Sequence, residues 1–169
     1  MHRGFLILSS LVATVVISAG CEPEDLSLPT AEDVTTAYQY SGDLTAEMSG
    51  NVAVVTISQP YAQLRRGGTI WAKVGPYIVL FSQPTLDLFQ TYGGLAAIRV
   101  VTVTGSGQAV ATATLLRDGL NELTWRRALN IAGRARRDGT ERVTVLEELI
   151  NWGEEHTEFE YDPRYIRRR

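Results

Sequence analysis

The chain has 169 residues, of which 44% are hydrophobic and 21% are charged, and its formal net charge is -3 at neutral pH. These proportions are typical of a soluble globular domain, so they argue against wholesale disorder and against a polytopic membrane protein. The weak negative charge also argues against nucleic acid as a partner.

Few side chains of the kinds used in catalysis or metal binding are present. Cys21 is the only cysteine, so neither an internal disulfide nor a cysteine-rich metal site is possible. Once an N-terminal leader is removed, His156 is the only histidine, which allows at most one base for a Ser-His-Asp or Cys-His arrangement. We therefore expect a protein without cofactor or metal that is not an enzyme.

The N-terminus has the organisation of a secretory signal. A short positive start at His2 and Arg3 is followed by an apolar stretch over 5–17 and by small residues before Cys21. The last four residues, Ser18-Ala19-Gly20-Cys21, resemble the lipobox of bacterial lipoproteins. This resemblance implies cleavage after residue 20, a diacylglycerol on the thiol of Cys21 and acylation of the new N-terminus.

The leader predicts a location outside the cytoplasm, with the body held at a membrane by lipid. Glu22 follows the cysteine, and resemblance to the enterobacterial sorting pattern favours the outer membrane, facing the periplasm, with the inner membrane as an alternative. An uncleaved signal anchor is also possible, because residues 4–20 are at the lower limit of length for crossing a bilayer. We assign residues 1–20 to the signal peptide and residues 21–33 to a lipidated acidic tether.

The middle of the chain contains an internal repeat. The sequence VTISQP at 55–60 is echoed by VLFSQP at 79–84, and each copy continues through a connector and a glycine pair to a second apolar stretch, at 70–74 and 97–101. A proline ends a strand because it cannot donate to the ladder, and a glycine pair permits a turn. The repeat predicts a duplicated strand, connector, strand unit, with a turn at Gly75-Pro76 between the copies.

Further strands are predicted over 34–40, 44–49 and 109–116. The last of these alternates with alanine, which predicts burial of the alanine side. Together with the repeat this gives about seven short strands, and the expected fold class is mainly β (α+β). We predict an antiparallel β-sandwich over residues 34–117, with a small barrel as the alternative.

Residues 118–169 are predicted to form a helical extension packed on the sheet. One helix is expected over 120–137, and Thr144 with Glu147 matches a capping box that opens a second helix through about Glu155. Four residues near the end of that helix could in principle hold a divalent cation, although a solvated acidic helix end explains them equally well. They are Glu154, Glu155, His156 and Glu158.

Eight arginines of this extension are candidate contacts for acidic lipid head groups or an acidic partner. They are Arg126, Arg127, Arg134, Arg136, Arg137, Arg167, Arg168 and Arg169. The alternative is that two amphipathic helices present complementary solvated faces, since residues 147–162 carry seven acids and no lysine or arginine.

The sequence thus favours a lipid-anchored binding or structural module, an accessory subunit of an envelope or membrane-protein assembly with a protein partner. One alternative is a carboxylate-based hydrolase acting on envelope glycans, which needs paired carboxylates about 5 to 10 Å apart in a cleft. Another is a small-ligand or sugar-binding lipoprotein, which needs a concave pocket with exposed aromatic side chains.

Overall fold

A computed structural model describes residues 26–40 and 42–166. The leader, Cys21 and the terminal arginines Arg167, Arg168 and Arg169 lie outside the described residues. The helices and strands follow in the order α1 (Ala31–Tyr38), β1 (Leu44–Ser49), β2 (Val52–Gln59), α2 (Tyr61–Leu80), α3 (Gln83–Thr91), β3 (Ala97–Thr104), β4 (Ala109–Leu116), a 3-10 turn (Arg117–Gly119), α4 (Glu122–Asp138), α5 (Val143–His156), β5 (Glu158–Tyr161) and α6 (Pro163–Ile166).

The five strands form one mixed sheet in the order β1-β2-β3-β4-β5. β2 and β3 are parallel, and the other neighbouring pairs are antiparallel. A parallel pair needs a long crossover, and α2 and α3 supply it between β2 and β3. Short connections join β1 to β2 and β3 to β4, whereas α4 and α5 lie in the chain between the antiparallel neighbours β4 and β5.

The two faces of the sheet differ because side chains alternate along each strand. One face, called here the covered face, packs against the helices. Its residues are buried and include Ala53, Val55, Ile57, Ile98, Val100, Ala113 and Leu115. The opposite face, called the open face, is covered by no helix or strand of the described residues. It includes Val54, Thr56, Arg99, Val101, Thr112, Glu158 and Glu160, all of them half-buried or exposed.

α2 is the central helix of the covered side. Its apolar second half contributes Val74, Tyr77 and Leu80 to the core. α5 packs across it at Gly153, where a Cβ atom would come within 2.4 Å of the Tyr77 ring. This close approach requires the glycine, because no side chain fits between the two helices.

The predicted seven-stranded β-sandwich is wrong. The predicted strand at 70–74 belongs to α2, the one at 79–84 runs from the end of α2 into α3, and the one at 34–40 begins inside α1. A single sheet with helices on one face buries the same apolar residues that a second sheet would have covered. The Gly75-Pro76 turn is wrong as well, since both residues lie within α2.

The repeated Ser-Gln-Pro sequence marks helix starts rather than a duplicated unit. Pro60 is the N-cap residue of α2, and Pro84 lies in the first turn of α3. Proline is tolerated there because the first amides of a helix have no intrahelical acceptor. The first copy follows a strand and the second follows a helix, so the two copies do not share one structure.

Other local predictions are confirmed. The strands over 44–49 and 109–116 are β1 and β4, and Ala111 and Ala113 are buried as expected. The two C-terminal helices are α4 and α5. The predicted capping box is wrong, because α5 begins at Val143 and its N-cap residue Arg142 makes no capping side-chain bond.

Candidate functional site

The open face carries a depression between β3, β4 and β5 with a volume of about 490 Å³. It is lined by Arg99, Val101, Thr112, Thr114, Glu158, Phe159 and Glu160. Two adjoining depressions, of about 260 and 300 Å³, share Thr112 and Thr114 with it. The three together form a continuous shallow groove along β4 and β5, which we call the open-face groove.

Arg99 is the positive charge in the open-face groove. Its Nε donates to the hydroxyl of Thr114 at 3.0 Å, and the side chain is exposed. Its guanidinium forms no ion pair with a carboxylate of the described residues. The other N–H donors of the guanidinium are therefore available to an acceptor on another molecule.

Glu158 and Glu160 provide the negative side of the open-face groove. They pair with Thr114 and Thr112 across the β4–β5 ladder and are both exposed. Residues two apart on a strand share a face, and their spacing is about 7 Å. The same alternation turns Tyr161 toward the helices, so β5 presents carboxylates on one side and aromatic rings on the other.

A polar network lies beneath β5 on the covered side. Tyr77 and Tyr161 share a hydrogen bond of 2.5 Å, and the Tyr161 hydroxyl donates to Glu154 Oε1 at 3.0 Å. Lys73 Nζ donates to the same carboxylate oxygen at 2.9 Å and lies 4.8 Å from the centre of the Tyr161 ring. Burial raises the pKa of Tyr77 to about 12, and burial with the Tyr77 bond raises the pKa of Tyr161. The network therefore fixes β5 to α2 and α5.

Four of the arginines predicted as contacts for an outside partner have a partner within the protein. Arg134 pairs with Glu148 at 2.7 Å. Arg127 lies 4.7 Å above the Trp152 ring, and Arg126 makes only a long, exposed pair with Glu122 at 3.8 Å. Arg137 forms no ion pair among the described residues. Because the other arginines have partners within the protein, α4 offers fewer free charges than its sequence indicates.

Arg136, the fourth, closes the end of a helix. It donates to the carbonyl of Ile78 and, at 3.0 Å, to that of Phe81, at the C-terminus of α2. Burial lowers the pKa of this guanidinium, and the two carbonyl oxygens are the acceptors for its charged N–H groups. α2 has no basic residue in its last turn, so the positive charge that favours a helix C-terminus comes from α4 instead.

Arg117, which sequence reasoning missed, does the same for α3. Its guanidinium donates to the carbonyls of Phe89 at 2.5 Å, Leu95 at 2.7 Å and Tyr92. The last turn of α3 likewise contains no basic residue. The sequence does show that α3 lacks a basic residue in its last turn. It does not show which arginine elsewhere in the chain supplies the positive charge.

The acidic residues considered for a metal do not converge. Glu154 turns to Lys73 and Tyr161, whereas His156 stacks on Trp152 with ring centres 3.9 Å apart and bonds the Trp152 carbonyl at 2.8 Å. In residues 26–40 and 42–166, no group of three or more histidine, cysteine or acidic side chains could hold a metal ion. No helix in this part of the chain is long and apolar enough to cross a membrane.

Comparison with known proteins gives no significant match to a protein family, to a curated protein or to a solved structure.

Proposed function

We propose that the protein is a lipid-anchored extracytoplasmic binding module, an accessory subunit of an envelope or membrane-protein assembly. We further propose that the open face of the sheet holds a protein partner. The supporting observation is the composition of that face: half-buried valines and exposed Arg99 on the central strands, with exposed glutamates on the two edge strands, β1 and β5. An apolar centre with a polar rim is the usual anatomy of a protein interface.

The size of the open face suits this function. Five strands spaced about 4.8 Å apart, with a rise of about 3.3 Å per residue, give a face of about 500 Å². A standard interface buries about 800 Å² on each partner, so a partner would cover the face and part of its rim. Arg99 adds a guanidinium to this face, and arginine is enriched among the few residues that contribute most of the binding energy of a protein interface.

The experiment places a photo-crosslinking amino acid at Val101 in the full chain, anchored in its native membrane. A matched position is Asn130, which is exposed on α4 and belongs to the helical layer. We expect one crosslinked partner from position 101 and none from position 130. Equal crosslinking from both positions, or none from 101, would contradict the proposal.

A charge reversal at Arg99 then tests whether this residue contributes to partner binding. Arg99→Glu is expected to lower crosslinking from position 101 at least about tenfold, since reversing a charge in an interface places like charges opposite each other. The control Arg126→Glu alters an exposed arginine of α4 whose ion pair is long. Loss of the partner with Arg126→Glu instead would move the binding surface to the arginines of α4.

A second candidate function is supported by Glu158 and Glu160, two exposed carboxylates on one face of β5, because hydrolysis of a glycosidic bond uses a pair of carboxylates. Incubation of the purified protein with envelope glycans tests this reading. Release of reducing sugar that is lost in Glu158→Gln and Glu160→Gln would support a hydrolase, and binding without release would support a sugar-binding protein.

A further inference from the structure

We propose that one edge of the domain, formed by Leu26, Leu28 and Leu116 and called here the leucine edge, lies against the lipid surface. This inference rests on the proposed lipid anchor at Cys21. It adds an orientation: one end of the sheet faces the membrane, and the open face stands to the side where a partner can reach it.

The leucine edge is apolar and exposed. Leu26, Leu28 and Leu116 have 70%, 45% and 50% of their surface accessible. Leu26 and Leu116 line one depression of about 450 Å³ together with Gly93, Gly94 and Ala96. Leucines beside small residues form a surface whose burial in a lipid interface is favourable.

The backbone holds these leucines in place. The amide of Gly94 donates to the carbonyl of Ser27 at 2.9 Å, and a Cβ atom on Gly94 would meet the carbonyl oxygen of Leu26 at 2.3 Å. Pro29 is buried and Thr30 caps α1, so the chain is part of the body from Leu26 onwards. The position of the leucine edge is therefore fixed relative to the sheet.

The length of chain between the anchor and the body sets the orientation. Cys21 and Leu26 are five residues apart, which allows a span of at most about 18 Å. A body of this size is about 37 Å across. The segment is too short for the far end of the domain to reach the lipid, so the end that carries Leu26 must be the near one.

The charges near this end favour apolar contact over electrostatic attraction. Glu22, Glu24 and Asp25 precede Leu26, and Asp118 lines the same depression. Arg117 lies there too, but its guanidinium is bonded to carbonyls at the end of α3. Acidic side chains are repelled by anionic lipids, so a zwitterionic bilayer is the expected surface.

The test uses the single cysteine of the chain. Once lipid occupies Cys21, a cysteine introduced elsewhere is the only free thiol for a polarity-sensitive fluorophore. The variants are Leu28→Cys and Leu116→Cys, and the control is Val143→Cys, which has a closely matched exposure of 48%. The backbone of His156, at the other end of α5, lies beside Gly119, which places Val143 about 20 Å away from the leucine edge.

The full lipidated chain is placed in phosphatidylcholine vesicles that contain a nitroxide quencher at the acyl-chain boundary. We expect quenching at 28 and 116 to be at least about twofold greater than at 143, because interfacial segments insert about 5 to 10 Å. Equal quenching at the three positions would overturn the orientation while leaving the anchor intact. A native chain that takes up the fluorophore at Cys21 and washes off the vesicles would overturn the anchor and this inference together.

Discussion

Successive residues of β3 point to opposite faces of the sheet, and the two faces lie in different surroundings. Val100 is fully buried against the helices, whereas its neighbour Val101 is half-buried on the open face. The covered face carries small and branched apolar residues along three strands, and the open face mixes valine and threonine with Arg99. The difference indicates that packing against the helices determines the residues of the covered face. The residues of the open face are not constrained in this way, which is compatible with the partner binding proposed for it.

The largest effect is expected on the covered side, from Gly153→Ala. The new methyl group would lie 2.4 Å from Cδ1 of Tyr77, so the contact between α5 and α2 must open. Overpacking of this kind costs about 1 to 3 kcal/mol, and the upper end is expected because the neighbour is a buried ring. Urea unfolding at equilibrium measures the loss.

The matched control is Gly133→Ala in α4, where the nearest atom to a new Cβ is an Arg137 nitrogen at 3.9 Å. Alanine favours a helix over glycine, so this variant should gain up to about 1 kcal/mol. A loss of similar size in both variants would mean that the contact with Tyr77 does not account for the result, because alanine raises helix propensity at both positions.

A second comparison tests the two faces directly with Val100→Thr and Val101→Thr. The substitution preserves shape and replaces a methyl group by a hydroxyl, which costs about 1 to 3 kcal/mol where it is buried without a partner. On the open face the hydroxyl reaches water, and the change should stay within about 0.5 kcal/mol. Thermal unfolding of both variants measures the difference. Equal losses would show that the open face is packed as tightly as the covered one.

The sequence predicts elements whose periodicity is unambiguous and fails where a segment is apolar on every side. β4 and α4 alternate or repeat clearly, and both are confirmed. The stretch 70–80 is apolar except for Lys73, so periodicity could not separate a buried helix from two strands. Within it Pro76 remains helical, and Gln59 donates to the nearby Trp71 carbonyl at 3.0 Å.

Part of the missed structure did have a local signal. Thr30 and Asp33 form a capping box at the start of α1, and this spacing is readable in the sequence. Arg99 interrupts an apolar run, which indicates a strand face directed to water. The pairing of Tyr77 with Tyr161 had no such signal, since the two residues are 84 apart and meet only when β5 joins the sheet.

A further loss of stability, confined to alkaline pH, is expected from the covered side of β5. An unfolded tyrosine loses its proton near pH 10, whereas burial raises the pKa of Tyr77 to about 12 in the folded protein. Between these values the folded state holds more protons than the unfolded state, so stability is complete below pH 10 and falls as pH rises. The slope is at most about 1.4 kcal/mol per pH unit for one such group.

Tyr77→Phe keeps the ring against Gly153 and removes this titrating group, so the fall in stability between about pH 10 and 12 should become shallower. Tyr61→Phe is the control, because that side chain is 66% exposed in the folded state and its surroundings change little on unfolding. Urea unfolding at several pH values in this window measures both slopes. If the stability of Tyr77→Phe falls as steeply with pH as that of the native chain, the network beneath β5 is open to water. The two sides of this strand then differ less than the hydrogen bonds of the network indicate.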